Sequence, residues 1–466
     1  MSLVLGNPRE QTRTVTPNEL RARFAIILSD LYGREVPAYR TLLEVAHGVN
    51  TDVAAELGPD AERLGSLDRV TAERHGAIRV GTPEELAQVG RIFAAMGMHP
   101  TGYYDLRDAS ASAVPVVSTA FRPIDENDLA ANPFRVFTSL LASTDRRFFT
   151  ADLSARLQTF LAGRQLFPPR LLTLADRATA DGELGPDDAE EFLALAAAAF
   201  ALSDEPIDRT WYAELEQVSA VAADIGGVTS THINHLTPRV LDIDALYARM
   251  SERGITMIDA IQGPPRWAGP DVLLRQTSFR ALAEPRQFHD PDGSVTEGSL
   301  RVRFGEVEAR GIALTRRGRA RYDQAVATAD ADGVASVWAE YFPSSETELF
   351  TSGLGVYTVR AVTDRTGTGD QPRGSVEDLI RDGWLRADPV VYEDFLPRSA
   401  AGIFQSNLTD AGSKDVTADS ADLGAEWLEG VLDRKLNDPF DLYEEQHRSS
   451  VRYALQQLGA TPAPTT

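Results

Sequence analysis

The sequence predicts an α+β fold: two βαβββ modules forming a central curved sheet or barrel around a shared cavity, with a helical insertion and C-terminal α/β elaborations. Three observations carry that prediction. The first is an internal repeat, which is sought before anything else because missing it misreads the whole fold. The phrase ERHGAIRV (73–80) returns in THINHLTPRV (231–240), so His75 matches His235, Arg79 matches Arg239 and Val80 matches Val240. Behind it, VVSTAFRP (116–123) lines up with LRQTSFRA (274–281) at nearly the same distance from its histidine. The second observation is a long stretch, 132–225, that is largely helical in pattern. The third is length: 466 residues can bury several cores and suggest two or three domains.

In chain order, 1–69 reads as an N-terminal helical segment. Helices are expected at 16–32, behind a Thr-Pro start, and at 39–50, with a polar helical lead-in over 51–68. The first module occupies 70–131: a strand opening at His75, a helix over 83–95, and β-branched, aromatic strands at 98–106 and 113–124. The insertion is assigned to 132–225, with PFRVFTSLLAS as its lead-in. Its clearest helix begins at Pro186-Asp187-Asp188, where acids suit the helix dipole. The second module takes 226–317, with a helix over 242–252 and a long last strand, LRVRFGEVEARGIALT, over 300–315. The mixed region 318–466 completes the chain, with a helix at 318–329, short strands near 355–361 and 389–392, and a helical end over 421–458.

Composition narrows the class. A net charge of -23 disfavours nucleic acid and anionic membrane surfaces, both of which need Lys and Arg. No apolar run is long enough to span a bilayer, and MSLVLGNPREQTRTV lacks the features of a signal peptide, so a cytoplasmic protein is expected. With no cysteine, disulfides, thiolate metal sites and Cys nucleophiles are excluded.

Seven histidines are present. His47, His99, His289 and His447 have no partner pattern. His75 and His235 stand apart because the repeat puts both at the same point of equivalent strands. Paired about a pseudo-twofold axis, they would face each other across the cavity. His232, three residues before His235, is expected on the opposite strand face, as a surface or backbone-positioning residue. A carboxylate could come from Glu306 or Glu308, which alternation places on one face. Two histidines and a carboxylate with open positions suit a non-haem Fe(II) oxygenase, although the same donors also hold Mn or Zn. Arg79 lies on the His75 face, about 13 Å along at the usual rise, where a guanidinium could grip a carboxylate in bidentate fashion.

The modules resemble the vicinal oxygen chelate superfamily, and NHLTPRV with FGEVEARG resembles the metal strands of 4-hydroxyphenylpyruvate dioxygenase. More specifically, the chain resembles the 2-oxoadipate dioxygenase/decarboxylase family. The resemblance rests on ERHGAIRVG, NPFRVFTSLL, THINHLTPR, LLRQTSF, RFGEVEARGIALT and DFLPRSAAGIFQSNL. It implies an Fe(II) enzyme that converts 2-oxoadipate and O2 to 2-hydroxyglutarate and CO2, in lysine catabolism. Bidentate chelation of the 2-oxo acid, oxidative decarboxylation and hydroxylation of the same molecule would make a second 2-oxo acid unnecessary. The resemblance also implies metal ligands at His75, His235 and Glu306. Substrate contacts follow at Arg79, His235, Arg398 and Ser399, with Arg79 as the catalytic arginine; at Arg398 the family pattern has valine. Glu308 would then sit one pleat along, bonded to Arg310 or a neighbouring strand. Two other classes fit the scaffold: a metal-dependent lyase or isomerase of the glyoxalase type, and a non-catalytic small-molecule-binding protein.

Overall fold

A computed structural model describes residues 13–109, 114–301, 303–329, 333–363, 372–397, 403, 407, 414–415 and 417–459. Two long helices, Pro17–Glu35 and Pro37–Leu57, open it. Thr16 closes a capping box with Glu19, and a proline starts each helix where its missing N–H costs nothing. Leu20, Phe24, Leu28 and Tyr32 recur every fourth residue and form the buried stripe of the first helix.

The first module runs β1 (Arg74–Val80), helix Pro83–Ala94, β2 (His99–Asp105), β3 (Val116–Arg122) and β4 (Arg135–Leu141). The fourth strand corrects the sequence reading, which put these residues in a helical lead-in. It pairs parallel to β1 and antiparallel to β3. All seven of its residues are buried. A strand covered on both faces shows no alternation, so its period cannot be told from that of a buried helix. The helical insertion proper runs from Ala151–Ala162 through Pro169–Asp181, Pro186–Ala199 and Arg209–Val218 to Ala220–Gly226. It is interrupted only by the two-residue β5 (Ile207–Asp208).

The second module repeats the plan with β6 (His235–Pro238), helix Ile243–Glu252 and β7 (Leu274–Ser278). A hairpin follows, β8 (Glu284–His289) and β9 (Val295–Leu300), and then β10 (Glu306–Arg310). The hairpin is polar and largely exposed, so it carries no apolar alternation to read. The long strand expected over 300–315 is divided. Beyond β10, Ile312 and Leu314 make only single bridges, to Val272, Val391 and Gly355. Two close approaches divide it: a Cβ on Gly305 would fall 2.0 Å from the Phe279 ring, and one on Gly311 2.4 Å from the Asp271 backbone. The C-terminal region holds helix Arg316–Thr328, the antiparallel pair β11 (Tyr357–Ala361) and β12 (Leu385–Pro389), and helices Ala425–Leu432 and Pro439–Gln457. The strand expected near 389–392 thus lies a few residues earlier.

The main sheet has the order β2-β3-β4-β1-β6, and β10 pairs with β7. Between the two, Val240 N donates to Glu308 O at 2.8 Å, beside a single Arg239–Glu308 bridge. Among the described residues the strands do not close into a barrel. One face of the sheet, with Ile78, Val80, Val117, Phe121, Val136 and Leu140, packs on the N-terminal and insertion helices. The other, with Ala77, Ala120, Phe137 and Leu141, faces Tyr104, Phe304 and Phe395. The candidate site sits on this second face.

Candidate metal centre and the pocket beside it

β1 and β6 run antiparallel at the edge of the sheet, with Ala77 opposite His235. The two repeat histidines therefore meet across the seam, their rings edge to face with centroids 5.4 Å apart. β10 crosses close by and supplies Glu306. His75 Nε2 is 3.8 Å from Glu306 Oε1, and His235 Nε2 is 3.3 Å from Glu306 Oε2. One donor atom from each of the three lies within 4.8 Å of the others, and all three residues are buried. Burial lowers the pKa of both histidines, and at His235 the charges of His75 and Arg79 push the same way. Both shifts favour the neutral ring, whose unprotonated nitrogen can bind a cation. Burial, reinforced by the charge of Glu308, raises Glu306 far above the usual carboxylate range. Among the described residues neither ring nitrogen of His235 finds a hydrogen-bond partner. Buried nitrogen lone pairs beside a carboxylate that resists ionising fit a divalent cation, which would satisfy all three groups at once.

Glu308 has a different environment. Its Oε2 lies 2.9 Å from His75 Nδ1, and Arg310 grips both of its oxygens at 2.6 and 2.9 Å. Burial opposes its charge, but Arg310 and His75 outweigh that and hold its pKa at about 2. A carboxylate this close to Nδ1 favours the tautomer that carries its proton there, whose Nε2 faces the site. Behind it, Arg135 Nη2 donates to Glu73 Oε1 at 2.9 Å and Arg239 Nη1 to Glu73 Oε2 at 3.0 Å. Arg135 and Arg69 both pair with Glu393. Arg310 Nη1 reaches the carbonyls of Tyr392 and Asp394, and Phe395 packs edge-on against His75 at 5.0 Å. The repeat thus breaks at its second position. Arg239, the counterpart of Arg79, belongs to this charge network and not to the pocket.

Arg79 is buried on the His75 face and donates through Nη1 to Asp224 Oδ2. Asn234 Nδ2 donates to the same oxygen at 2.9 Å and lies 3.1 Å from His232 Nε2. His232 is therefore not a surface residue. Residues 231–234 precede the strand, so the alternation that would turn His232 outward does not apply to them. Burial lowers its pKa to about 4. Arg398 and Ser399 lie outside the described residues. The sequence reading missed Asp224, Asn234 and Gln276, whose amide donates to Glu306 Oε1. For Asp224 a signal existed, since it is the one charged residue in the apolar helix AVAADIG.

Fold and site together define an α+β protein with a buried two-histidine, one-carboxylate centre of the kind that holds a divalent metal. The chain matches the 2-oxoadipate dioxygenase/decarboxylase family over residues 24–407. It is 59% identical over 434 residues to the 2-oxoadipate dioxygenase/decarboxylase of Mycobacterium tuberculosis, covering 93% of this chain and 98% of that one. Identity to the Pseudomonas putida protein of the same name is 40% over 464 residues, covering 95% and 98%. The crystal structure of the hydroxyglutarate synthase from Pseudomonas putida in complex with 2-oxoadipate matches with a TM-score of 0.81. That match is at 38% identity and covers 96% of this chain and 99% of that one. This chain belongs to the 2-oxoadipate dioxygenase/decarboxylase family, and it is an enzyme.

Proposed function

We propose that the chain is a cytoplasmic, Fe(II)-dependent dioxygenase that converts 2-oxoadipate and O2 to 2-hydroxyglutarate and CO2 in lysine catabolism. The observation that carries this reading is the buried cluster of His75, His235 and Glu306, with Arg79 buried on the strand face of His75. The two modules are read as vicinal-oxygen-chelate units, each lending one histidine across the seam between β1 and β6.

His75, His235 and Glu306 would hold the metal. When bound, Fe(II) would supply a template for a chelating 2-oxo acid and a relay for the electrons that the substrate gives to O2. The chain does the rest. Glu308 fixes the ring of His75, and Gln276 orients the carboxylate of Glu306. Arg79 takes the distal carboxylate of the substrate and so selects a dicarboxylic acid. Phe304, tilted against His235, and Phe395, edge-on against His75, keep bulk water from the reacting end. The stoichiometry closes without another reactant. One O2 provides one oxygen of the carboxylate formed at the former 2-oxo carbon and the oxygen of the new hydroxyl. CO2 leaves with both oxygens of the original carboxylate, and a single substrate molecule is both decarboxylated and hydroxylated.

An oxygen electrode tests this reading on Fe(II)-loaded protein with a panel of 2-oxo acids. Uptake of O2 should match CO2 release one to one with 2-oxoadipate alone. A strict requirement for added 2-oxoglutarate, or turnover without O2 uptake, would overturn it.

A further inference from the structure

The insertion between the modules meets Arg79 through Asp224, on helix Ala220–Gly226. Every residue of that helix is buried. A carboxylate there is costly unless it is paired, and an apolar residue would pack at less cost. Its Oδ2 is the common acceptor for Arg79 Nη1 and Asn234 Nδ2, while Oδ1 lies 3.4 Å from His232 Nε2. The cluster is fastened to the strand that carries Arg79. Thr231 Oγ1 donates to Arg79 O at 2.7 Å, and Asn234 N donates to Ala77 O at 2.8 Å. An arginine side chain carries large rotamer freedom, and holding it in place before binding removes that cost from the binding step.

We propose that Asp224 is the positioning residue that sets the guanidinium of Arg79, and thereby a determinant of the preference for 2-oxo acids with a second carboxylate. This rests on the role given to Arg79 above. What matters in this arrangement is the placement of one acceptor oxygen, not the charge of the acid. An asparagine can put an oxygen at the same point and turn its amide nitrogen toward His232, whereas an alanine leaves Arg79 to find another orientation.

The test compares kcat and KM for 2-oxoadipate and for the monocarboxylic 2-oxohexanoate in Fe(II)-loaded wild type, Asp224→Ala, Asp224→Asn and Arg79→Gln. Asp224→Ala should raise KM for 2-oxoadipate and lower the ratio of kcat/KM between the two substrates at least tenfold. Asp224→Asn should restore that ratio to within about threefold of wild type. Equal losses on both substrates in Asp224→Ala, an unchanged ratio, or an asparagine variant as impaired as alanine would each overturn the proposal. If Asp224→Ala does not fold, Asp224→Glu takes its place. It keeps the charge but displaces the guanidinium by a methylene, so an unchanged ratio there overturns the proposal equally. Arg79→Gln separates the two readings. If it keeps the dicarboxylate preference, the role given to Arg79 fails; if only Arg79→Gln loses it, the inference about Asp224 fails alone.

Discussion

Glu306 and Glu308 stand two residues apart on β10, and the molecule treats their charges in opposite ways. Glu306 is pushed toward its neutral form by burial and by Glu308, whereas Arg310 and His75 keep Glu308 ionised against its own burial. On the proposed function, Glu306→Gln should lose nearly all activity and most iron affinity. Glu308→Gln should keep measurable turnover while binding iron about 10–100-fold more weakly, the usual effect of losing an outer partner of a ligand. Metal analysis after dialysis, alongside oxygen uptake, checks both; the opposite order would place the ligand at Glu308. His75→Ala and His235→Ala should each abolish iron binding, and full occupancy in either would remove that histidine from the site. Strand spacing alone left the two glutamates equivalent, because both point to one face. What separates them is their neighbours on other strands, which a one-dimensional pattern does not show. His232 was misjudged for a related reason, since a period of two holds only where there is a strand.

Among the elements, β10 depends on a close approach at its first step. Phe279 lies where a side chain at 305 would begin, so Gly305→Ala must move the ring or the strand. Overpacking of this kind costs about 1–3 kcal/mol. Because the next residue is Glu306, iron affinity should fall as well, whereas Gly185→Ala, in extended backbone before a helix with nothing within 4 Å, should leave it unchanged. Equal iron affinity in the two variants would show that β10 adjusts without moving Glu306. The helices were legible because they carry explicit starts, such as Thr16 with Glu19 and Pro186 with its acids. The fully buried β4 and the polar hairpin of β8 and β9 were not. One lacks polar residues to alternate with, and the other lacks apolar ones.

At the scale of the whole molecule, the buried network from Glu73 to Glu393 ties the first module, β10 and the C-terminal region together. Removing one partner leaves opposite charges buried and uncompensated, so Arg135→Met should destabilise the protein by about 3–5 kcal/mol in urea unfolding. A loss below about 1 kcal/mol would show that the network rearranges. The same groups set the response to acid. In Glu73 and Glu393 burial alone would raise the pKa, but the arginines prevail and lower it. A depressed carboxylate stabilises the fold above its unfolded value of about 4.3 and loses that contribution as pH falls. His75, His232 and His235 are depressed by burial, so the unfolded chain takes up their protons first, from about pH 6.5 downward. Glu284 and Glu306, raised by burial, work in the opposite direction. The urea midpoint should therefore decline gently below about pH 6.5 and steeply below about 4.3; a midpoint constant down to pH 4 would contradict this assignment.

The seam between β1 and β6 has a consequence for how the chain comes apart. No single module owns the proposed cation site, because its donors come from both sides of the seam and from a third strand. A cation held there acts as a staple between units that could otherwise open one at a time, and its binding energy is added to the stability of their union. The loaded protein should unfold as one block. A chelator should let the seam open first, seen as amide exchange that quickens along β1 and β6 while the centre of β3 stays protected.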